Sequence, residues 1–210
     1  MAAASPALPF GQRVLAALLY RVSHLGVRLR PLIETLEDVT PPARRPGVEP
    51  FRFEALAASD IGDLLALGTE ANREEMLRWF AAGKRCFGLR DGDRLVATMW
   101  CDLDEVNFAP VHRVLAADEA YLFAAYTDPS YRGRDLAPRL RHACYAHLRA
   151  NGRTRLVSYS EPFNRASRRF KQKLGAVEVA AWLHVDLFGR WSRTIPVPKR
   201  LFGMKREAGL

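Results

Sequence analysis

The pattern of apolar and polar positions after residue 50 predicts a mixed α/β chain. Alternating or continuous apolar runs predict strands at about 51–56, 86–90, 95–103, 120–126, 155–160, 177–188 and 194–197. Apolar residues at helical spacing predict helices at about 61–67, 72–82, 136–151 and 164–174. Because strands and helices alternate here, we expect a central mixed twisted sheet of about six or seven strands with helices on both faces. Residues 104–118 follow neither pattern and are expected to form a long, ligand-facing loop.

The first 49 residues have a different character, and we expect them to form an N-terminal helical extension (1–49) ahead of one domain (50–210). Three prolines and a glycine within Thr40–Gly47 predict a linker. Upstream, apolar residues at helical spacing between 14 and 22 share one face, and the apolar content continues to residue 36. Residues 1–33 hold four arginines and no acidic residue, which is typical of an amphipathic surface anchor or a transit peptide. The alternative is a helical hairpin that packs on the domain or on a second subunit in a homodimer.

Charge is distributed unevenly along the chain. The formal net charge of +9 resolves into +12 over residues 126–210, −5 over 50–125 and +2 over 1–49, so a polyanionic ligand is expected to meet the C-terminal part. The longest charge-free apolar run near the N-terminus has seven residues, 14–20, whereas a membrane-spanning helix needs roughly 20. No membrane span is therefore expected, although peripheral association of residues 1–40 is an open alternative.

Cysteine usage indicates a reducing compartment. Cys86, Cys101 and Cys144 are far apart and lack metal-ligand spacing. We expect no metal site, no disulfide framework and a cytoplasmic location. Cys101 and Cys144 lie among apolar residues without a basic partner in sequence, so they are interpreted as small core residues rather than nucleophiles.

The segment with the clearest chemistry follows the apolar run 120–126. That strand leads through Arg132-Gly133-Arg134-Asp135-Leu136-Ala137 directly into a helix. The first backbone N–H groups of a helix lack internal partners, and the helix dipole is positive at that end, so a pyrophosphate can bind there. Arg132 and Arg134 add permanently charged, bidentate donors. A solvated arginine-rich turn would have a similar sequence, so this loop alone is a weak signal.

Two motifs in the right order make the signal specific. Residues 127–140 have the pattern T-x-P-x-Y-R-G-x-x-L-A-x-x-L, and residues 164–175 have N-x-x-S-x-x-F-x-x-K-L-G. The first resembles the acyl-CoA-binding motif of the GCN5-related N-acetyltransferases (GNAT), V-x-P-x-Y-R-G-x-G-[IL]-[GA]-x-x-L. The second is similar to a later motif of that superfamily, N-x-x-[AS]-x-x-[LF]-Y-x-K-L-G. The resemblance covers residues 50 to about 190 and leaves residues 1–49 unexplained.

The resemblance implies a fold and a donor site. It implies a β-bulge in the strand before the loop, where the backbone groups of Ala125 and Thr127 pair with the pantetheine arm of acetyl-CoA. It implies that the N–H groups of 132–137 hold the pyrophosphate, and that a backbone N–H near Tyr126 holds the oxyanion during direct attack by an amine. Asn164 is expected to orient the donor or the helix that it caps.

Two positions depart from the family pattern. Asp135 stands where the family usually has glycine, and its carboxylate could cap the helix and repel a phosphate, or point aside while Arg132 and Arg134 preserve binding. Lys171 stands where many members carry the tyrosine that protonates the departing thiolate. Neighbouring arginines would lower the pKa of Lys171 and favour that role. The alternatives are that Lys171 lies on a solvated helix face, that Tyr159 is the acid, or that the protein has no dedicated acid.

The general base is less well defined by the sequence. Glu119, at the start of the strand, lies close to where relatives place a catalytic glutamate, and Glu161 precedes the second motif. Either could be a strand-end residue facing water. His112, His142 and His147 are candidates by type only, and His147 falls on an apolar helical face, which favours packing.

The leading functional prediction is transfer of acetyl from acetyl-CoA to a primary amine. The acidic stretch 50–125 is compatible with an amine acceptor. One alternative is transfer of a longer acyl chain from acyl carrier protein, which is acidic and could dock on the basic groups between Arg165 and Lys173 and on the basic C-terminal tail. Another is a binding module that kept the fold and lost the chemistry. Nucleic acid is disfavoured, because no aromatic stacking pattern interleaves the arginines.

Overall fold

The computed structural model describes residues 26–39, 50–108, 111–202 and 204. The strands in chain order are β1 (Val27–Asp38), β2 (Arg52–Leu56), β3 (Arg85–Asp91), β4 (Arg94–Asp102), β5 (Glu105–Phe108), β6 (Val111–Val114), β7 (Glu119–Thr127), β8 (Arg155–Ser160), β9 (Val177–Leu187) and β10 (Trp191–Pro196). The helices are α1 (Ile61–Ala66), α2 (Arg73–Ala81), α3 (Leu136–Ala150) and α4 (Arg165–Lys173), with short 3-10 turns at Ala58–Asp60, Pro129–Tyr131 and Lys199–Phe202. All four helices after residue 50 and the seven strands predicted there are confirmed within a few residues.

The described chain divides into two compact units. The larger unit contains residues 36–39, 50–108, 111–158 and 170–177, and its strands are ordered from the end of β1 through β8, β7, β4, β3 and β2. The smaller unit contains the rest, and there β9 lies between β10 and the first part of β1. β7 and β8 are parallel, whereas β2–β3, β3–β4, β4–β7 and β9–β10 are antiparallel. The predicted mixed sheet is therefore confirmed.

Helices cover both faces of the sheet in the larger unit. α3 packs Leu136, Leu140, Cys144 and Leu148 against one face, in a cluster with Phe87, Met99 and Leu122. α1 and α2 pack Ile61, Leu64 and Met76 against the other face, around Trp100. The alternation of side chains along β4, with Met99 on one face and Trp100 on the other, divides the two clusters. In the smaller unit, Ile33, Ala181, Phe202 and Met204 form a separate cluster.

β1 corrects our expectation of a helical N-terminal extension. Residues Val27–Asp38 form a strand, and Glu37 in it is buried within the larger unit. A signal was present in the sequence, because Val27 and Leu29 alternate with Arg28 and Arg30 before the short apolar run at 31–33. The helix predicted between residues 14 and 22, the linker at 40–47 and the domain boundary at 49/50 lie outside the described residues and stay predictions.

The long loop expected at 104–118 is also corrected. Glu105–Phe108 and Val111–Val114 pair as an antiparallel two-stranded sheet, β5–β6. The side chain of Asp102 accepts hydrogen bonds from the backbone N–H groups of Asp104 (2.9 Å) and Glu105 (3.1 Å), which fixes the turn from β4 into β5. The short strands were missed because each has only four residues and Val111–Val114 places two polar residues side by side, although Glu105–Phe108 does alternate in polarity.

Candidate donor site

The candidate site lies where β7 leaves its parallel neighbour. β7 pairs with β8 only from Glu119 to Tyr121, and beyond Tyr121 no described strand of the larger unit lies on that edge of β7. The first four residues of β7 are buried, whereas Ala124 and Ala125 are exposed. Although residues 120–126 are apolar throughout, only the first half of the strand is therefore buried. The second half offers an open backbone edge.

A bulge interrupts β7 at the start of this open edge. Thr98 pairs with Tyr126 and Trp100 pairs with Phe123, so two residues, Ala124 and Ala125, oppose the single residue Met99 on β4. Ala124 has a φ of 46°, a left-handed conformation that costs an alanine roughly 1–2 kcal/mol. Such local strain is concentrated at functional sites. The resemblance to the acetyltransferases implied a bulge in this strand, and the register places it at these residues.

The register also decides which backbone groups face the open edge. The N–H of Asp128 donates to Val96 O at 2.9 Å, so Asp128 and, two residues earlier, Tyr126 direct their backbone groups toward β4. Thr127 and Ala125 alternate with them and direct their N–H and C=O groups away from β4. The Nε of Arg132 donates to Thr127 O at 3.3 Å, so the Arg132 side chain also lies on the side of β7 that faces away from β4. Ala125 and Thr127 are thus brought together on one edge.

The loop after β7 presents unpaired backbone donors. No described residue accepts a hydrogen bond from the backbone N–H groups of 133–137, and the side chain of Asp135 caps none of them. Pro138 occupies the third position of α3 and has no N–H. Gly133 has a φ of 81°, and a Cβ added there would meet no described heavy atom within 4 Å. The loop therefore has both the donors and the space for a phosphate group.

Asp135 holds a conformation that explains why glycine is usual at this position. Its φ is 55° and its ψ is 27°, in the left-handed region, which aspartate tolerates better than most residues. Its carboxylate points aside to Lys173 Nζ at 3.4 Å, and both side chains are about two thirds exposed. The helix-capping arrangement considered from the sequence is not formed.

Tyr131 fixes the loop to the β3–β4 hairpin. Its hydroxyl donates to Asp91 Oδ2 at 2.7 Å, and the guanidinium carbons of Arg134 and Arg94 lie 4.8 Å and 5.5 Å from its ring centroid. Asp128 supports the same turn, accepting from Ser130 N at 2.8 Å and from Arg94 Nη2 at 2.7 Å. Hydrogen bonds from Ser130 hold the pKa of Asp128 below its usual value. Sequence analysis did not identify Arg94 or Asp91, since both lie more than 30 residues from the loop.

Glu119 is held as an anion at the other end of β7. Its carboxylate accepts from Arg113 Nη1 at 2.6 Å and from the backbone N–H of Ala116 at 3.1 Å, and Arg155 Nη2 lies 3.8 Å away. The hydrogen bond from Arg113 is the largest effect that lowers the pKa of Glu119, against the opposing effect of burial. A carboxylate with a lowered pKa is a weaker proton acceptor, which disfavours Glu119 as the general base.

The other residues that the sequence offered as catalytic or donor-binding candidates differ in their burial and in their contacts. Asn164 accepts from Ser167 N at 3.0 Å, which is the capping arrangement for α4. Lys171 is 5% exposed and therefore does not lie on a solvated face. Tyr159 is half-buried in β8, whereas Glu161 and His112 are exposed. His147 packs its ring 5.0 Å from that of Phe87, and His142 lies 5.6 Å from Tyr145.

The cysteines are buried, as expected for core residues. Cys86, Cys101 and Cys144 are free thiols with almost no exposed surface. Burial raises the pKa of each, to about 12 for Cys101, so the thiolate is scarce at neutral pH. Across the described ranges, no group of three or more His, Cys, Asp or Glu residues could hold a metal ion. None of the described helices is long and apolar enough to cross a membrane.

Comparison with known proteins gives a consistent picture. The family model described as acetyltransferase (GNAT) family matches residues 54–176. The fold is similar to that of a putative acetyltransferase from the GNAT family of Novosphingobium aromaticivorans, with 26% identity and a TM-score of 0.56 over 77% of this chain and 66% of that one. It is also similar to a GNAT-family acetyltransferase from Colwellia psychrerythraea, with 12% identity and a TM-score of 0.59 over 80% and 61%. This chain thus spans less than two thirds of the length of either relative. A search of curated proteins found no match.

Proposed function

The chain belongs to the GNAT acetyltransferase family, and on this basis we propose that it transfers acetyl from acetyl-CoA to a primary amine. The observation that carries the proposal is the combination of an open, bulged β7 edge with unpaired N–H groups at the start of α3. The edge can pair with the amide groups of a pantetheine arm, and the N–H groups can hold a pyrophosphate. The two features are joined by only a short loop, as a single donor molecule requires.

The reaction needs positioning more than covalent chemistry from the protein. The amine must lose a proton before its nitrogen bonds to the thioester carbonyl carbon. As the C–S bond breaks, the departing thiolate takes up a proton. We propose that the N–H of Ala125, which faces the open edge, holds the oxyanion in place of Tyr126, whose backbone faces β4. The side chain of Tyr126 packs on the sheet face under α1 and α2, and the Arg132 guanidinium carbon lies 5.8 Å from its ring centroid.

The proton donor is proposed to be Lys171 or Tyr159. Lys171 is favoured by its place in the second motif and by its burial, which removes it from the solvated helix face. With Lys171 as the donor, Lys171→Met lowers kcat and removes the alkaline limb of the rate profile, whereas Tyr159→Phe leaves both unchanged. The reverse pattern assigns the role to Tyr159, and two unchanged profiles exclude a dedicated acid.

The experiment that tests the donor site is calorimetric titration with acetyl-CoA and with acetyl-pantetheine, which lacks the nucleotide and pyrophosphate. We expect acetyl-CoA to bind at least ten-fold more tightly, and Arg134→Met to remove most of that advantage because it removes a charged phosphate donor. Arg149→Met, an exposed arginine at the far end of α3, is the matched control and should bind like the unsubstituted protein. Equal affinity for both ligands would contradict the proposal.

Transfer from acyl carrier protein remains the alternative donor. The cluster considered for docking is reduced by the structure, because the Arg168 guanidinium is held by Glu178 at 2.7 Å and 3.0 Å. Arg169 and Lys173 stay exposed. Loss of the thioester from acyl carrier protein, but not from acetyl-CoA, on incubation with an amine would favour this donor.

A further inference from the structure

A group of aromatic rings lies beside the bulge in β7. The aromatic cluster consists of Trp79 and Phe80 on α2, Trp100 on β4 and Phe123 on β7. Trp79 lies 4.8 Å from Trp100 and 5.0 Å from Phe123 between ring centroids, both in edge-to-face geometry. Phe80 lies 4.7 Å from Trp100. Phe123 immediately precedes the strained residue Ala124.

Burial divides this cluster into a core part and a surface part. Trp100 is 2% exposed and belongs to the core of the larger unit. Trp79, Phe123 and Tyr126 pack against the same core but stay partly exposed. Large rings left partly open beside a candidate reaction site supply the apolar contact surface on which binding sites for small ligands depend.

The bulge itself assembles this partly exposed surface. Phe123 and Tyr126 are three residues apart, so in a regular strand they would point to opposite faces. The extra residue at Ala124–Ala125 shifts the alternation of side chains. The rings of Phe123 and Tyr126 therefore both pack against the apolar core that α1 and α2 form around Trp100. The same distortion that places Ala125 on the open edge therefore places two aromatic rings next to it.

The charges around the rings limit what can bind there. Lys84 Nζ lies 5.5 Å from the Phe123 ring centroid and donates to Asp102 Oδ2 at 2.6 Å. The guanidinium of Arg132 lies over Tyr126. Because protein cations already occupy these ring faces, a polycationic acceptor would meet like charges. An apolar group would meet edges and faces of rings without that cost.

We infer that Trp79, Phe123 and Tyr126 form the acceptor-binding surface and select primary amines carried on an aromatic group. This inference rests on the proposed function and names the acceptor class for it. The aromatic group would stack among these rings, and the amine nitrogen would lie toward Ala125. The net charge of −5 over residues 50–125 then acts on approach of the protonated amine rather than in the pocket.

The test compares three acceptors with acetyl-CoA as donor. We expect kcat/KM for 2-phenylethylamine to exceed that for n-propylamine and for spermidine by at least ten-fold. Trp79→Leu keeps apolar volume but removes the ring, and it should raise KM for 2-phenylethylamine about ten-fold with little change for n-propylamine. Leu77→Ala, at an exposed position on the same helix, is the control and should leave all three rates unchanged.

Direct binding keeps the inference separate from the proposed function. Saturation-transfer NMR with 2-phenylethylamine alone should show ring contacts in the unsubstituted protein that are weakened in Trp79→Leu, with thermal unfolding confirming that the variant is folded. Equal kcat/KM for all three amines overturns the inference, as does unchanged ring contact in the variant. If acetyl-CoA itself does not bind, the proposed function fails, and the NMR result alone decides whether the aromatic surface binds this class of amine.

Discussion

Asp135 meets a backbone requirement of the loop and places a negative charge at the start of α3. The loop needs a left-handed residue at this position, and aspartate supplies it without glycine. Its carboxylate lies at the start of α3, where the helix dipole favours an anion that binds from outside. The exposed ion pair with Lys173 at 3.4 Å compensates little of this charge.

Removing the charge of Asp135 should therefore strengthen donor binding. Asp135→Asn keeps the tolerance for the left-handed region, and we expect calorimetry to show acetyl-CoA binding about two- to five-fold more tightly, since a charge at a helix terminus contributes about 0.3–1 kcal/mol. Asp135→Ala removes the same charge but adds backbone strain, so it should gain affinity while losing thermal stability. Weaker binding by Asp135→Asn would show that the carboxylate helps the donor to bind.

At the scale of elements, the end of β1 is joined to α3 and β8 by buried polar groups. Glu37 Oε1 accepts from Ser158 Oγ at 2.9 Å and from Arg141 Nη2 at 3.1 Å, and Oε2 lies 3.0 Å from Arg141 Nε and accepts from the Tyr145 hydroxyl. The side chains of Glu37 and Arg141 are 1% and 3% exposed. Because α3 carries the candidate phosphate-binding N-terminus, these contacts also help to fix the position of the donor site.

Removing one charged partner from this buried group should lower the free energy of unfolding. Glu37→Ala leaves the Arg141 charge buried without its anion, so we expect the free energy of unfolding in urea to fall by about 3–5 kcal/mol. Glu74→Ala, at an exposed position on α2, should change it by less than about 0.5 kcal/mol. The double variant Glu37→Met, Arg141→Met should be more stable than Glu37→Ala alone. A loss below about 1 kcal/mol in Glu37→Ala would mean that solvent reaches this group.

For the whole molecule, charge separates into a basic C-terminal part and an acidic middle, yet several carboxylates in the middle are structural. Burial raises the pKa of Asp102, but hydrogen bonds from Lys84 and from the N–H groups of Asp104 and Glu105 outweigh it and lower the pKa overall. The pKa of Glu119 is lowered by the hydrogen bond from Arg113. Part of the negative charge is thus committed to internal cations and is unavailable to an acceptor.

These lowered pKa values predict acid sensitivity. A carboxyl whose folded pKa is depressed stabilises the fold above its unfolded pKa, and this stability is lost as pH falls through the folded pKa. The reference values are 3.8 for Asp102 and 4.5 for Glu119, so the melting temperature should hold near neutral pH and decline below about pH 4.5. Glu119→Gln and Asp102→Asn should each lower the neutral-pH melting temperature and flatten this decline. If the melting temperature of both variants falls below about pH 4.5 as in the unsubstituted protein, other groups cause the acid sensitivity.

The sequence by itself determined four helices and seven strands after residue 50, though not the β5–β6 pair, and it predicted a phosphate-binding loop. Helical periodicity, the apolar strand patterns and the two motifs are local patterns, and local hydrogen bonding and burial enforce them. The sequence also predicted that Arg132, Gly133 and Asp135 belong to a phosphate-binding loop with an unusual aspartate. We did not predict from it that Val27–Asp38 is a strand, since the alternation there is short and Ser158, which bonds to Glu37, lies 121 residues away.

Only the tertiary structure decided which residues meet. Register between β4 and β7 places the bulge at Ala124–Ala125 and turns Tyr126 toward the helices, and the end of β7–β8 pairing opens the edge beyond Tyr121. The packing of α2 on β4 brings Trp79 to Phe123, and Arg113 reaches Glu119 to hold it as an anion. These contacts join elements that are far apart in sequence, so no local pattern encodes them. A one-residue shift in the register of β7 would move each of its side chains to the other face of the sheet.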